Sequence, residues 1–165
     1  MLRNEPLPDR QHGAALVARA VSAALRPPAR MLVSEAAAQF RYMAKPGRPK
    51  TKWRNETTPY LVEIMDAATR RDTGRIVICG PSQFGKTEVF LNVCCWAIKA
   101  SPADILFLQP DKLLAIDFGE RRIDRDLLGA SDDLRAELGP TRSDDKQLEK
   151  SFRNGVKLTL IWPVK

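Results

Sequence analysis

An α/β fold with a sheet that is at least partly parallel is what this chain predicts, on three observations. Short apolar runs alternate with helix-length segments: Arg75 to Cys79, Thr87 to Ala100, Asp104 to Leu108, then a helix from Asp111. Strands alternating with helices are the pattern of crossover units, whose strands run parallel. Between the first strand and its helix lies Gly80-Pro81-Ser82-Gln83-Phe84-Gly85-Lys86-Thr87. This is a complete G-x-x-x-x-G-K-[ST] phosphate-binding loop in the strand–loop–helix setting that the motif requires. Finally, Asn154-Gly155 stands between Phe152 and the alternating Val156, Leu158 and Leu160, a hairpin signal.

Taken in order, residues 1–45 read as an N-terminal segment, helical in part and mobile at its ends. Pro6, Pro8 and Pro27-Pro28 bound one short helix, and a second helix runs from after Ser34 to about Met43. Lys45 to Lys50 is an extended basic linker, because Pro46 and Pro49 interrupt regular structure. Thr58-Pro59 reads as an N-cap followed by proline at the first helical position. Leu61, Ile64, Met65 and Ala68 then share one helix face to about Arg70. Arg75 to Cys79 is short and β-branched, as a buried strand is. The helix after the loop is apolar on most sides (Val89, Phe90, Leu91, Val93, Trp96, Ile98), so it is expected to be buried against a sheet. A helix from Asp111 presents Leu113, Ile116, Ile123 and Leu127 on one side, and Gly119 weakens it by about 1 kcal/mol. Residues 129–150 are polar and acidic, with turns at Gly129 and Gly139-Pro140.

The loop's residue types fit one chemistry. Gly80 and Gly85 let the backbone wrap close around phosphate oxygens. The loop N–H groups and the positive end of the following helix face the anion. Lys86 supplies a mobile charge for β- and γ-phosphates, and the Thr87 hydroxyl is the expected Mg2+ ligand. The candidate nucleotide-binding residues are therefore Gly80, Pro81, Ser82, Gln83, Phe84, Gly85, Lys86 and Thr87, with ATP and Mg2+ as cofactors.

Composition narrows the alternatives. A chain of 165 residues makes one small domain or part of a larger one, and 44% hydrophobic against 28% charged residues excludes fibrous and disordered classes. The net charge of +7 suits a nucleic-acid partner. Its local maxima are Arg70-Arg71, Arg121-Arg122 and the stretch from Arg41 to Arg54, for each of which a solvated face is the plainer reading. Three cysteines in no framework spacing point to a reducing compartment, with Cys94 and Cys95 as buried small hydrophobes. With His12 the single histidine, no zinc site can be assembled. The apolar stretch from Gly13 to Leu25 is broken by Arg19 and too short to span a membrane.

Several further stretches resemble the N-terminal ATPase part of phage terminase large subunits of the lambda-like GpA type. They are Val33-Ser34-Glu35 with Tyr42, Trp53, Thr58-Pro59-Tyr60-Leu61-Val62-Glu63-Ile64-Met65-Asp66-Ala67, Gln83 to Glu88, and Leu106-Phe107-Leu108-Gln109-Pro110. Asp117-Phe118, Glu120-Arg121, Ser151-Phe152 and Leu158-Thr159-Leu160 complete the set, in the family's order over about residues 30 to 160. The resemblance implies a P-loop NTPase-like three-layer fold with a mostly parallel sheet, preceded by N-terminal helices. It also implies an ATP-driven motor that moves double-stranded DNA into a procapsid and is fused to an endonuclease. The implied partners are the DNA, a small terminase subunit and the portal of the procapsid, in the cytoplasm of a bacterial host. Lys86 and Thr87 carry over as phosphate and Mg2+ residues. Trp53 and Tyr60 match an upstream aromatic segment near the adenine, although ordinary packing takes slight precedence for both.

One departure stands against this. Such an ATPase needs a second acid at the end of an apolar strand. Here Asp111 follows Gln109-Pro110 and reads as a helix cap, while Asp132-Asp133 and Asp144-Asp145 read as solvated loop. The chain reads Ile161-Trp162-Pro163-Val164-Lys165 where the family continues toward its acidic strand. Residues 46–165 are thus expected to be a partial, incomplete ATPase domain, with the nuclease domain absent, as in a truncated or frameshifted prophage product. Two rival readings remain. A non-catalytic nucleotide- or partner-binding module would bind a small subunit through residues 1–45. A small P-loop kinase would need convergent arginines in a lid, whereas 129–150 is acidic.

Overall fold

The computed structural model describes residues 13–18, 21, 31–44 and 47–163. Expectations touching residues 1–12, 19–20, 22–30, 45–46 and 164–165 lie outside the described residues. These include the prolines that bound the first helix and the start of the basic linker.

After a short helical stretch at 13–18, the helix Val33–Phe40 buries Val33, Ala36 and Ala37. Small side chains on that face allow close approach to the helix that follows the loop Gly80 to Gly85. Its first turn is closed by the Leu32 N–H donating to Glu35 Oε2 at 2.9 Å. The helix stops three residues short of the expected Met43, because Tyr42–Met43 (β1) instead pairs antiparallel with Thr51–Lys52 (β2). The Trp53 N–H extends that ladder to the Arg41 carbonyl at 2.9 Å. Pro59 opens a 3-10 turn, Pro59–Leu61, and the α-helix proper is Val62–Ala67. Thr58 makes no side-chain cap bond, a departure from the N-cap reading. The helix ends before Arg70 because the Ala68 and Thr69 N–H groups bond to Met65 and Asp66 carbonyls three residues back, tightening the last turn. Asp66 ties this helix to the first one by accepting from the Ser34 N–H and hydroxyl at 2.9 and 2.8 Å.

The loop helix, Lys86–Lys99, is apolar on most sides because it separates two cores. On one side Leu91, Cys94, Cys95 and Ile98 meet Ile123, Leu127, Leu134, Leu158 and Leu160. On the other, Val89 meets Val33, Ala37, Trp53, Leu61 and Met65. Burial pushes the Cys94 and Cys95 thiols up to about 12, and Cys79 is exposed. A thiol reagent at pH 8 is therefore expected to modify one cysteine of the native protein and all three after denaturation. Two or more fast-reacting thiols in the native state would contradict this packing.

The sheet is mixed. Ile105–Leu108 (β3) runs parallel to Lys157–Ile161 (β5), which pairs antiparallel with Glu149–Ser151 (β4), in the order β3-β5-β4. The expected hairpin forms at Asn154-Gly155, with Gly155 at φ 88° and the Phe152 N–H bonded to the Val156 carbonyl at 2.9 Å. Two expectations fail here. Among the described residues, one sheet face is covered, giving two layers rather than three. Leu158 and Leu160 face the helices, while Leu106 and Leu108 on the opposite face are 63% and 65% exposed. The run Arg75 to Cys79 also forms no strand, and Val77 is 73% exposed. No described strand lies beside it, and β-branched side chains favour the pleated state only where a sheet offers a neighbour.

The helix Lys112–Phe118 is capped by Asp111, whose Oδ1 accepts from the Leu114 N–H at 2.8 Å, as expected. It continues without a break as a π-helical stretch, Gly119–Leu128. Gly119 is a close-approach residue rather than a weak point. A methyl there would come within 3.0 Å of the Gln147 carbonyl and 3.2 Å of Leu160. After the short helix Asp132–Arg135, the acidic segment turns into β4, where Lys150 is buried.

Candidate functional site

After the run 75–79, the chain turns sharply at Gln83 (φ 60°) and Gly85 (φ 96°) to enter the loop helix. Gly85 is required twice over. Its left-handed backbone disfavours side chains, and an added Cβ would lie 2.9 Å from Leu61 Cδ1. Gly85→Ala is expected to lower stability by about 1–2 kcal/mol, read as a reduced urea midpoint; an unchanged midpoint would contradict the assigned geometry. At Gly80 a Cβ would press on the Phe84 ring at 3.1 Å, so this glycine admits the aromatic side chain of its own loop.

Lys86 folds back over the loop, its Nζ donating to the Gly80 and Pro81 carbonyls at 3.0 and 2.6 Å. Both acceptors are neutral, so an incoming anionic oxygen offers the ammonium a stronger partner. Thr87 stands in the first turn of the helix, half-buried. Ser82 is exposed, and Gln83 lines a cavity beside the loop.

That cavity, about 170 Å³, lies between the loop and the upstream segment. Tyr60, Gln83, Phe84, Gly85 and Glu88 line it together with Thr58 and Trp53. The Tyr60 and Phe84 rings approach to 4.8 Å at a 37° tilt, and Tyr60 is half exposed. Trp53 is 4% exposed and donates its indole N–H to Asn55 Oδ1 at 2.8 Å, so packing accounts for most of its surface. The Thr58 hydroxyl is buried and lacks a hydrogen-bond partner among the described residues. Larger hollows of about 520 and 530 Å³ lie on the open sheet face and along Lys52 to Thr57. Neither is lined by residues of the loop 80–87, and the smaller cavity is.

Three of the candidate carboxylates beyond the loop have structural partners, and Asp133 is exposed. Asp111 caps a helix, Asp132 pairs with Lys50 at 2.8 Å, and Asp144 accepts from the Thr141 N–H at 3.0 Å. Asp145 is exposed, as the solvated reading expects, and with Asp124 it also pairs with the buried Lys150. Among the described residues no group of three or more His, Cys, Asp or Glu side chains is assembled as metal ligands would be. None of their helices is long and apolar enough to cross a membrane.

Sequence reasoning also missed the surroundings of Glu88, in the first turn of the loop helix. Arg41, read above as one end of a basic surface stretch, is 1% exposed and donates from Nη2 to Glu88 Oε2 at 3.1 Å. Its Nη1 donates to the Tyr42 and Asp126 carbonyls. Burial lowers its pKa from the usual arginine value, opposed chiefly by Glu88. Arg122 Nη1 lies 4.0 Å from Glu88 Oε1 and 2.9 Å from Asp126 Oδ2. No sequence signal separates a buried arginine at a helix end from a solvated one.

A mixed sheet, a helix entered through a left-handed glycine and a lysine folded over its loop define an α/β protein with a glycine-bounded loop at a helix N-terminus. Residues 47–165 match the family model of the phage terminase large subunit gpA ATPase domain, and the chain belongs to that family. Membership carries an ATPase role in phage DNA packaging. Comparison with curated proteins and with solved structures gave no match.

Proposed function

We propose that this chain binds ATP with Mg2+ through Gly80 to Thr87 and contributes the nucleotide-binding part of a DNA-packaging motor. The observation that carries the reading is the loop itself: Gly85 in a left-handed turn, Lys86 held only by neutral carbonyls, and the loop helix beginning at that point. In this reading Lys86 leaves the Gly80 and Pro81 carbonyls for the β- and γ-phosphate oxygens. The exposed N–H groups at the start of the loop helix hold the phosphates, and the Thr87 hydroxyl holds the metal. The bound Mg2+ supplies charge neutralisation at the phosphoryl group. Tyr60 and Phe84 offer a face to the base, and the unpartnered Thr58 hydroxyl offers it a hydrogen bond. The residues present thus fit the nucleotide.

In the assembled motor, hydrolysis would drive translocation of double-stranded DNA into the procapsid, with residues 1–45 available to the small terminase subunit. Residues 46–165 form the ATPase part in this reading. The host cytoplasm is where such a motor works. A titration with a fluorescent N-methylanthraniloyl ATP analogue in Mg2+ tests the nucleotide site. Saturable binding displaced by ATP, and weakened by Tyr60→Ala, is expected. A signal that ATP does not displace would remove the proposal.

A further inference from the structure

We propose that Arg41 is a positioning residue for the phosphate loop, acting through Glu88. It neutralises the carboxylate that stands next to the loop's lysine and threonine. The inference rests on the nucleotide-binding reading above and deepens it.

Three observations carry it. Glu88 follows Lys86 and Thr87 directly, within the first turn whose N–H groups would face an anion, and lines the cavity with Gln83, Gly85 and Tyr60. A carboxylate in a helix's first turn favours the helix, but an unneutralised one there repels a triphosphate at the same end. Each Glu88 oxygen faces one arginine: Oε2 the buried Arg41 at 3.1 Å, Oε1 the partly exposed Arg122 at 4.0 Å. Finally, Arg41 is buried with its Nε lacking a hydrogen bond among the described residues. A buried ion pair with an unsatisfied donor is poor stabilisation compared with apolar packing, so a cation at this position is better explained by what it does to its partner.

Arg41 also fixes direction. Its Nη1 is held by the Tyr42 and Asp126 carbonyls, so the guanidinium joins the end of the first helix and the π-helical stretch to the loop helix. The Glu88 carboxylate at the cavity's edge is thereby held by Arg41, with Arg122 at the other oxygen.

The test reads affinity for the N-methylanthraniloyl ATP analogue in Mg2+, with thermal unfolding measured in parallel. Arg41→Met is expected to weaken binding about tenfold, and Glu88→Gln in the same chain to restore it to within about threefold of the starting protein. A merely structural arginine predicts that binding falls and recovers only in step with the unfolding temperature, because Glu88→Gln also relieves the unpaired charge. The proposal instead predicts weakened binding at a temperature where every variant is folded. Because Arg41→Met disturbs a buried site, the exposed-side partner is changed separately. Arg122→Ala is expected to weaken binding about two- to threefold, again reversed by Glu88→Gln. If Arg41→Met fails to fold, the Arg122 pair decides. Arginine variants that bind normally, or losses that Glu88→Gln leaves in place, overturn the inference. A starting protein that does not bind the analogue removes the nucleotide reading, and this inference falls with it.

Discussion

Lys150→Met is expected to cost about 1–3 kcal/mol of stability, the range for hydrogen bonds to charged groups once solvent screening of the exposed partners is counted. Lys150 is 2% exposed and its ammonium lies 2.8 Å from Asp124 Oδ1 and 2.5 Å from Asp145 Oδ1. It joins β4 to the π-helical stretch and to the acidic turn. The methionine fills much of the space but returns none of the charge-assisted hydrogen bonds, and the two partly exposed carboxylates are left to water. Burial alone would lower the Lys150 pKa; hydrogen bonds to Asp124 and Asp145 outweigh it and raise the value above its ordinary 10.5. The sign of the linkage follows. The stabilisation is complete below pH 10.5 and is lost as pH rises through the folded-state value. Chemical denaturation at pH 7 and pH 11 should find the wild-type advantage at the first and its reduction at the second. A variant as stable as wild type at pH 7 would show that the triad is decorative.

Lys86→Ala is expected to weaken Mg-ATP binding by about 2–3 kcal/mol, roughly 30- to 150-fold, while leaving the unfolding temperature nearly unchanged. The two effects separate because the side chain contributes little in the free protein. Its bonds go to two loop carbonyls that water can satisfy equally well. Phosphate oxygens gain a charged donor that no neighbouring side chain replaces. Calorimetric titration of both proteins checks the ratio, and equal affinities would place the nucleotide elsewhere.

What could be read from residues alone was what depends on local chemistry. The Asn154-Gly155 hairpin, the Asp111 cap and burial of Cys94 and Cys95 each follow from a turn preference, an oxygen acceptor or a helix face. The family was legible for a related reason, since several short stretches carry it in order. Expectations failed where the deciding partner is distant. Arg75 to Cys79 has strand composition, but composition does not supply a neighbouring strand. Whether the second sheet face is covered depends on how elements assemble, which alternation of apolar residues cannot decide. Arg41 looked solvated because charge reads as surface until a fold buries it beside an opposite charge. Thr58 was legible as a cap by type and position, yet its hydroxyl makes no cap bond and is buried without a partner among the described residues. That difference is a matter of one backbone conformation (φ −137°, ψ 61°).

Hydrogen–deuterium exchange with and without Mg-ATP tests the central claim most directly, because it locates the ligand without altering a residue. The account predicts slowed exchange in two separate stretches, residues 80–88 of the loop and 54–61 beside the cavity, with the β4–β5 hairpin unchanged. Protection confined to the open sheet face, or none at saturating nucleotide, would contradict it.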